Sequence, residues 1–282
     1  MKLLGEVLRL SMQYLQEKNV TAPRLVAETL LSYSLGVKRL DLYMQFECPL
    51  QEPELAKFRS LLQRAAKQEP VEYILAKVDF YGLELPVTSD VLIPRPETEI
   101  LVDRAAHILG LEDLKGKVLW DLCSGSGCIG LSLKKKFPDL SVSLSDLSEP
   151  AIAVAQKAAK ANQLEVDFLQ GDLFSPFEGK KAHYIFCNPP YISAQEYEEL
   201  SFSVKGFEPK SALVGGVTGL EFYERLALQL PYYTSPGAKV FLEIGYLQGK
   251  AVNEIFSDSC WIQKRLEQDW SGKDRFFFLE RE

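Results

Sequence analysis

The sequence predicts an α/β protein with two parts, a small bundle of helices followed by a parallel sheet that carries helices on both faces. The first 76 residues show apolar side chains at helical spacing and no strand-like run. From residue 96 onward, strand-like runs alternate with helical patterns, which is typical of a parallel α/β sheet. The chain has 282 residues, of which 46% are hydrophobic and 25% charged, so it is long enough for a substantial core.

Residues 1–76 are predicted to form a small antiparallel helical bundle. The opening "MKLLGEVLRLSMQYLQEK" has charges among its apolar residues, which indicates an amphipathic helix and not a signal peptide. In "TAPRLVAETLLSYSLG", Thr21 is the expected N-cap and Gly36 the end of the helix. No run is long enough to span a membrane, so we expect a cytoplasmic protein without membrane contact. The bundle is either a stabilising extension or a separate module that docks a partner.

Residues 77–95, "KVDFYGLELPVTSDVLIPR", change to strand-like residues that are interrupted by Gly82 and Pro86. This pattern predicts a β-hairpin connector. Residues 96–282 are then predicted to form one domain that contains the sheet, beginning with a loop and a helix in "PRPETEILVDRAAHIL".

The sheet is predicted from five strand-like runs, "KVLWDL", "LSVSLSD", "EVDFLQGD", "AHYIFCN" and "KVFLEIG", followed by a last helix and strand pair that ends in "RFFFLER". Ligands of such sheets bind at the carboxyl ends of the strands, near the point where the strand order reverses. The longest stretch without a clear pattern runs from Tyr191 to about Thr218. Because long loops inside compact domains are usually functional, we expect this one to serve the site.

Charge and cysteine usage exclude several classes of function. The net charge of −7 and the pI of about 5.2 argue against a protein whose main role is to grip duplex nucleic acid. The five cysteines include no C-x-x-C pair, and with only two histidines the sequence predicts no metal site. Free thiols in a reducing compartment are the expected state.

The stretch "LWDLCSGSGCIG" places small residues between a strand and a helix, so that a ligand can approach the backbone and the helix N-terminus. Asp146, at the end of the next strand, lies 21 residues after Gly125, where a carboxylate can bind both ribose hydroxyls of a nucleoside. The turn lacks the Lys-Ser/Thr pair of a P-loop and is not a full G-x-G-x-x-G. Nucleoside binding is the favoured interpretation over a purely structural turn. Asp172, after the third strand, would either accept from an adenine amino group or cap the following turn.

The stretch "YIFCNPPYIS" ends a buried strand at Asn188, because two prolines cannot donate to a ladder. The rigid loop presents the Asn188 amide oxygen, the Pro189 carbonyl and the Tyr191 ring. Two fixed acceptors can bind both N–H groups of an amide or an aromatic amine and aim its nitrogen at an electrophilic methyl group. The pattern therefore predicts in-line methyl transfer, driven by orientation and electrostatics, with Tyr191 stacked on the planar substrate. The alternative is a structural turn with two prolines.

These motifs resemble the S-adenosylmethionine-dependent protein-(glutamine-N5) methyltransferases of peptide chain release factors, the HemK/PrmC family. The resemblance covers nearly the whole chain and includes "PRLVAETLL", "VLIPRPETEILV", "DLCSGSGCIG", "NPPYI" and "FEPKSAL". It implies a class I methyltransferase fold, a Rossmann-like and mostly parallel seven-stranded sheet, behind a helical domain that grips the release factor. It also implies that the substrate is the glutamine of the Gly-Gly-Gln motif and that S-adenosyl-L-homocysteine is the product. We expect a monomer without direct nucleic-acid specificity.

Carried over by motif, the resemblance implies two sets of site residues. The cofactor would be bound by Cys123, Ser124, Gly125, Ser126, Gly127, Asp146, Asp172, Leu173 and Asn188. The glutamine amide would be held by Asn188, Pro189, Pro190 and Tyr191, of which Asn188, Pro189 and Tyr191 would be catalytic.

The sequence differs from the family pattern at two positions, with Cys123 in place of the first glycine of the turn and Leu173 where relatives often have an aromatic residue. The motif at Asn188 is shared with adenine-N6 nucleic-acid methyltransferases, which are the alternative. The segments "VLIPRPETEILV" and "FEPKSAL" favour the protein-modifying branch. A binding module that senses the cofactor without catalysis is a third hypothesis, and it leaves the motif at Asn188 unexplained.

Overall fold

The N-terminal residues fold into the helices that their apolar spacing predicts. In the computed structural model, which describes residues 2–282, these helices are α1 Leu4–Glu17, α2 Pro23–Leu35, α3 Asp41–Met44, α4 Glu52–Ala65 and α5 Val71–Leu75. Leu8, Leu30 and Phe58, from three of the helices, share one buried apolar core. Helix α2 ends as predicted at Gly36, whose φ of 68° lies in the left-handed region. The predicted N-cap Thr21 is wrong, because the helix begins at Pro23 and its cap position is held by Ala22.

The remaining helices and strands build an α/β unit. Its helices are α6 Pro96–Leu109, α7 Cys128–Lys136, α8 Glu149–Ala161, α9 Ala194–Glu199, α11 Glu221–Tyr233 and α12 Gly249–Ile255. The short helix α10 Phe202–Lys205 groups with the N-terminal helices. The strands of the α/β unit are β1 Lys77–Phe80, β2 Leu83–Pro86, β3 Val118–Leu122, β4 Ser141–Asp146, β5 Asp167–Gln170, β6 Ala182–Cys187, β7 Ile192–Ser193, β8 Val214–Gly216, β9 Thr234–Glu243, β10 Trp261–Gln268 and β11 Asp274–Arg281. No helix within residues 2–282 combines the length and the apolar character needed to cross a bilayer.

The central sheet has seven strands in the order β10-β11-β9-β6-β3-β4-β5. Strand β3 pairs in parallel with β4 on one side and with β6 on the other, so the strand order reverses beside it. Only β11 runs antiparallel to its two neighbours. The predicted fold class, a mostly parallel seven-stranded sheet with an N-terminal helical part, is confirmed.

The end of the chain differs from the sequence prediction. After α12 the structure has two strands, β10 and β11, which pair as an antiparallel hairpin. Strand β10 was missed because most of "WIQKRLEQ" is exposed at the edge of the sheet. It therefore lacks the buried apolar run by which the inner strands were recognised.

The hairpin of β1 and β2 forms where residues 77–95 predict it, with Lys77 opposite Pro86 and Phe80 opposite Leu83. Phe80, Leu83 and Leu85 are buried in the same core as Ala155 and Ala158 of α8. The hairpin is therefore an integral part of the α/β unit.

The stretch from Tyr191 to Thr218, which the sequence predicted as unstructured, contains β7, α9, α10 and β8. Each of these elements has only two to six residues, too few to show a period in the sequence. Helix α9 starts with a capping box in which the Ser193 hydroxyl accepts from the Glu196 N–H at 3.2 Å. Ser201–Phe207 belongs to the first compact unit with the residues up to Ala76, whereas Lys77–Leu200 and Glu208–Glu282 form the second. Residues 201–207 thus group with the N-terminal helices, whereas the residues on either side of them group with the sheet.

Candidate active site

A cavity of about 330 Å³ opens at the carboxyl ends of β3, β4, β5 and β6, within the size range of ligand sites. The predicted site residues that line it are Cys123, Ser124, Gly125, Ser126, Asp146, Asp172, Leu173, Asn188 and Pro190. Gly127, Pro189 and Tyr191 do not line it. Gly127 begins α7 with a φ of 78°, and a side chain there would press on Leu131, Leu144 and Ala155 in the core.

The turn after β3 keeps its backbone in unusual conformations. Cys123, Gly125 and Gly127 all have positive φ, at 54°, 53° and 78°. Glycine adopts this region freely, whereas a cysteine there is strained, which gives a physical reason for the glycine that the family pattern has in place of Cys123. The turn brings the N-terminus of α7 to the cavity wall, where Cys128 and Ile129 contribute to the lining.

Asp146, the last residue of β4, holds this turn from the side. Its Oδ2 accepts the Gly125 N–H at 2.8 Å and its Oδ1 accepts the Ser148 N–H at 2.9 Å. Each oxygen keeps a lone pair for a further donor, so the carboxylate can still bind two neighbouring hydroxyls. Burial raises the pKa of Asp146, and the backbone N–H groups oppose that effect.

Asp121 lies in the middle of β3, directly below the turn, and sequence reasoning missed it. Its Oδ2 accepts the Gly130 N–H at 2.8 Å, whereas its buried Oδ1 has no hydrogen-bond partner within residues 2–282. Burial raises the pKa of Asp121 to about 7, and the charge of nearby Asp146 adds to the effect. The available signal was a carboxylate between the apolar residues of "LWDL".

The Asp172 carboxylate forms an ion pair instead of capping the following turn, and its contact with adenine stays a prediction. It pairs with the Arg225 guanidinium at 2.6 Å, and only the Asp172 backbone carbonyl takes part in the following turn, by accepting the Ser175 N–H. Phe222, also from α11, contributes an aromatic ring to the cavity lining. The ring that the sequence lacks at Leu173 is thus supplied from a distant helix, and no spacing in the sequence indicated it.

The Asn188 loop is held by buried side chains from distant parts of the chain. The Asn188 amide N–H donates to the Thr98 hydroxyl at 3.5 Å, and Thr98 donates to Glu243 Oε2 at 2.6 Å. The Tyr191 hydroxyl donates to Glu243 Oε1 at 3.4 Å. Burial raises the pKa of Glu243, while Thr98 and Arg275 favour its charged form. Burial and the Glu243 charge together raise the pKa of Tyr191 well above its usual range.

The backbone of the same loop is fixed as well. Gln248 Nε2 donates to the Tyr191 carbonyl at 2.8 Å and to the Gly219 carbonyl at 3.2 Å. Gly215 in β8 has no room for a side chain, since an added Cβ would overlap the Pro190 carbonyl. The loop therefore lies between Gln248 on one side and Gly215 of strand β8 on the other.

The segments "VLIPRPETEILV" and "FEPKSAL" meet at the cavity rim. Glu208, whose side chain is 1% exposed, pairs with Arg95 at 2.5 Å. Its second oxygen accepts the Ile93 N–H at 3.2 Å. A buried carboxylate needs such partners, so this pair ties the segment after Ser201–Phe207 to the residues before α6.

The N-terminal and catalytic parts each match a known family model. The methyltransferase small domain matches residues 98–203, and the PrmC N-terminal domain matches residues 6–75. A release factor glutamine methyltransferase of Chlamydia trachomatis serovar L2 is 41% identical over 279 residues, which cover 99% of this chain and 94% of that protein. The release factor glutamine methyltransferase of Bacillus subtilis (strain 168) is 38% identical over 284 residues, with coverages of 98% and 96%.

Among solved structures, a methyltransferase from Pyrococcus furiosus superimposes with a TM-score of 0.52 at 15% identity, covering 80% of this chain and 98% of that one. This likeness shows the fold alone. The sequence relatives go further, since their similarity runs through the helical part, the connector and the sheet. The chain belongs to the release factor glutamine methyltransferase family.

Proposed function

We propose that this protein transfers the methyl group of S-adenosyl-L-methionine to the side-chain amide nitrogen of the glutamine in the Gly-Gly-Gln motif of peptide chain release factors. The observation that carries the proposal is that Asn188 lines the same cavity as Asp146 and the turn from Cys123 to Ser126. An amide acceptor and a nucleoside site thus open into one space. Similarity to release factor enzymes over nearly the whole chain favours this substrate over an adenine base.

The cavity suits the cofactor in four respects. Asp146 retains two acceptor positions for the ribose hydroxyls, and the turn from Cys123 to Ser126 exposes backbone close to the space. Leu173 and Phe222 provide apolar and aromatic surface for the adenine. Asp172, paired with Arg225, keeps oxygens at the cavity wall that can accept from the adenine amino group.

The bound cofactor supplies an electrophilic methyl group on a sulfonium. The Asn188 Oδ1 and the Pro189 carbonyl accept the two N–H groups of the glutamine amide and aim its nitrogen at that methyl. The Tyr191 ring stacks on the planar amide while its hydroxyl stays on Glu243. With the cofactor bound, transfer would form a carbon–nitrogen bond as the carbon–sulfur bond breaks, with the excess proton passing to water and S-adenosyl-L-homocysteine as the other product.

The helical unit, residues 1–76 in this proposal, docks the release factor, and the connector over residues 77–95 leads into the methyltransferase domain. The enzyme acts as a monomer in the cytoplasm. The two family models support the division of labour, because one covers residues 6–75 and the other starts only at residue 98.

The test uses labelled S-adenosyl-L-methionine with purified release factor, a release factor whose Gly-Gly-Gln glutamine is replaced, and total RNA and DNA as rival acceptors. We expect label on the intact release factor only, and none with the Asn188→Ala variant, although that variant still binds S-adenosyl-L-homocysteine. Label on nucleic acid and not on the release factor would replace the proposal with the adenine-N6 alternative. Cofactor binding without transfer to any acceptor would support a binding module.

A further inference from the structure

Thr98 and Glu243 are buried polar residues beside the cavity, and the chemistry described above gives neither of them a part in the transfer itself. Each is 1% exposed. They come from the first turn of α6 and the last residue of β9, and they join each other at 2.6 Å. Burying two polar side chains costs desolvation free energy, so the groups that this pair holds in place indicate why it is there.

We propose that Thr98 and Glu243 are positioning residues that set which end of the Asn188 amide faces the glutamine. This inference rests on the proposed glutamine methylation and deepens it. An asparagine amide has a donor end and an acceptor end of nearly equal size, and a rotation of 180° exchanges them. Only the orientation with Oδ1 toward the substrate can accept an N–H from the glutamine.

The directions of the hydrogen bonds from Asn188 to Thr98 and from Thr98 to Glu243 decide between the two orientations of the Asn188 amide. With Glu243 ionised, its carboxylate only accepts hydrogen bonds, so Thr98 uses its single hydrogen on Glu243, the direction of the 2.6 Å contact. Toward Asn188 the Thr98 hydroxyl then offers lone pairs alone. Asn188 must present its N–H to Thr98, as the 3.5 Å contact has it, and its Oδ1 is left for the substrate. The contact is long, and we expect it to shorten when substrate is bound.

Burial raises the pKa of Glu243, and two groups besides Thr98 oppose that effect by favouring the charged carboxylate. The Tyr191 hydroxyl donates to its other oxygen at 3.4 Å, and the Arg275 guanidinium favours the charged carboxylate. Glu97 is the charged neighbour that opposes ionisation. One buried carboxylate thus orients the asparagine through Thr98 and the tyrosine directly, so both ends of the Asn188–Tyr191 loop depend on it.

The inference predicts different effects for substitutions that change the polarity and those that preserve it. Thr98→Val keeps the shape and removes the hydroxyl, whereas Thr98→Ser keeps the hydroxyl. Glu243→Gln keeps the size but adds a donor that can bond to Thr98, which frees the Thr98 hydrogen to hold Asn188 in the wrong orientation. Thr234→Val is the matched control, because Thr234 is also fully buried and begins the strand that Glu243 ends.

The experiment measures kcat, the KM for release factor, the Kd for S-adenosyl-L-homocysteine and the Tm of each variant. We expect kcat to fall about tenfold or more in Thr98→Val and Glu243→Gln, the factor that corresponds to one hydrogen bond. KM and Kd should stay close to the wild-type values, Thr98→Ser should restore most of kcat, and Thr234→Val should lower Tm without lowering kcat.

Equal kcat losses in Thr98→Val and Thr98→Ser would overturn the inference, as would a wild-type kcat in Glu243→Gln. A loss of kcat that is proportional to the loss of Tm or of cofactor affinity would also overturn it. The Thr98–Glu243 pair would then act on stability or on cofactor binding. If Thr98→Val does not fold, Glu243→Gln decides alone. A wild type that leaves the release factor unlabelled refutes the proposed function instead, whereas failure of the inference leaves wild-type transfer intact.

Discussion

The two walls of the cavity are built on different principles. The cofactor wall, Cys123 to Ser126 with Asp146, is held mainly by its own backbone conformation and by one carboxylate 21 residues away from Gly125. The amide wall is formed by Asn188 and Pro190, and their loop is held by side chains from α6, β9 and the residue before α12, up to 90 residues distant in sequence. The comparison teaches that a ligand-binding turn can be largely local, whereas an orienting loop depends on packing assembled from the whole unit.

Gly215→Ala is expected to have the largest effect, which should fall on kcat and not on cofactor affinity. The added Cβ would overlap the Pro190 carbonyl, and displacement of that backbone should lower kcat about 100-fold. Affinity for S-adenosyl-L-homocysteine, measured by calorimetry, should change little. Gly5→Ala in α1 is the control, since its backbone is helical and its Cβ would meet Phe46 only at 3.4 Å. Equal losses of kcat and affinity would show that the two walls are not independent.

Asp146→Ala should break the opposite wall. It removes the carboxylate that accepts from Gly125 and Ser148 and that would bind the ribose, so affinity for S-adenosyl-L-homocysteine should fall about 30-fold. Asp139→Ala, at an exposed residue just before β4, should leave the affinity unchanged. Asn188→Ala should show the reverse pattern, with transfer lost and affinity for S-adenosyl-L-homocysteine falling less than in Asp146→Ala. Unchanged affinity in Asp146→Ala would contradict the ribose assignment.

Asp121, which lies in β3 below the cofactor wall, should make the free energy of unfolding depend on pH. Its pKa is raised from 3.8 to about 7, so its protonated form stabilises the fold; that contribution is complete below the unfolded pKa and is lost as pH rises through about 7. Asp121→Asn should remove this loss. Relative to the wild type, its free energy of unfolding should rise by on the order of 2 kcal/mol between about pH 5 and pH 8. Denaturant unfolding of both proteins at both pH values measures this difference. If the variant and the wild type differ by the same free energy at pH 5 and pH 8, the raised pKa of Asp121 is refuted.

The smallest expected effect concerns Cys123. Its φ of 54° is strained for a cysteine, so Cys123→Gly should increase stability by about 1 kcal/mol, or a few degrees in Tm. Cofactor affinity should be preserved, because the backbone keeps its conformation. Cys123→Ala, which retains a Cβ, is the matched control and should give no increase. A lower Tm in Cys123→Gly would mean that the thiol contributes more to packing than the strain costs.

The sequence was sufficient for the parts of the fold that have long, regular patterns. The inner strands β3, β6 and β9 were predicted because each contains a buried apolar run, and β4 because its apolar residues alternate with serines. Strand β10 and the short elements between Tyr191 and Thr218 were missed. An exposed edge strand has no apolar face to show, and elements of two to six residues have no period.

The site could be predicted where its chemistry lies within one motif. The turn at Cys123, Asp146 and the loop at Asn188 were found in this way, and they line one cavity. Glu243, Thr98 and Phe222 could not be found, because their roles depend on contacts that only the folded sheet creates. Thr98 and Glu243 are 145 residues apart in sequence, so no local spacing indicates that they form a pair.

The path of the chain near the catalytic loop has a consequence for engineering. Because Ser201–Phe207 belongs to the first unit, the polypeptide crosses between the two units three times, after Ala76, Leu200 and Phe207. A gene fragment that starts at Lys77 would therefore still carry seven residues whose packing partners had been deleted, a short distance after the catalytic loop. Swapping the helical unit between relatives would therefore require the two separate pieces, residues 1–76 and 201–207, to be exchanged together.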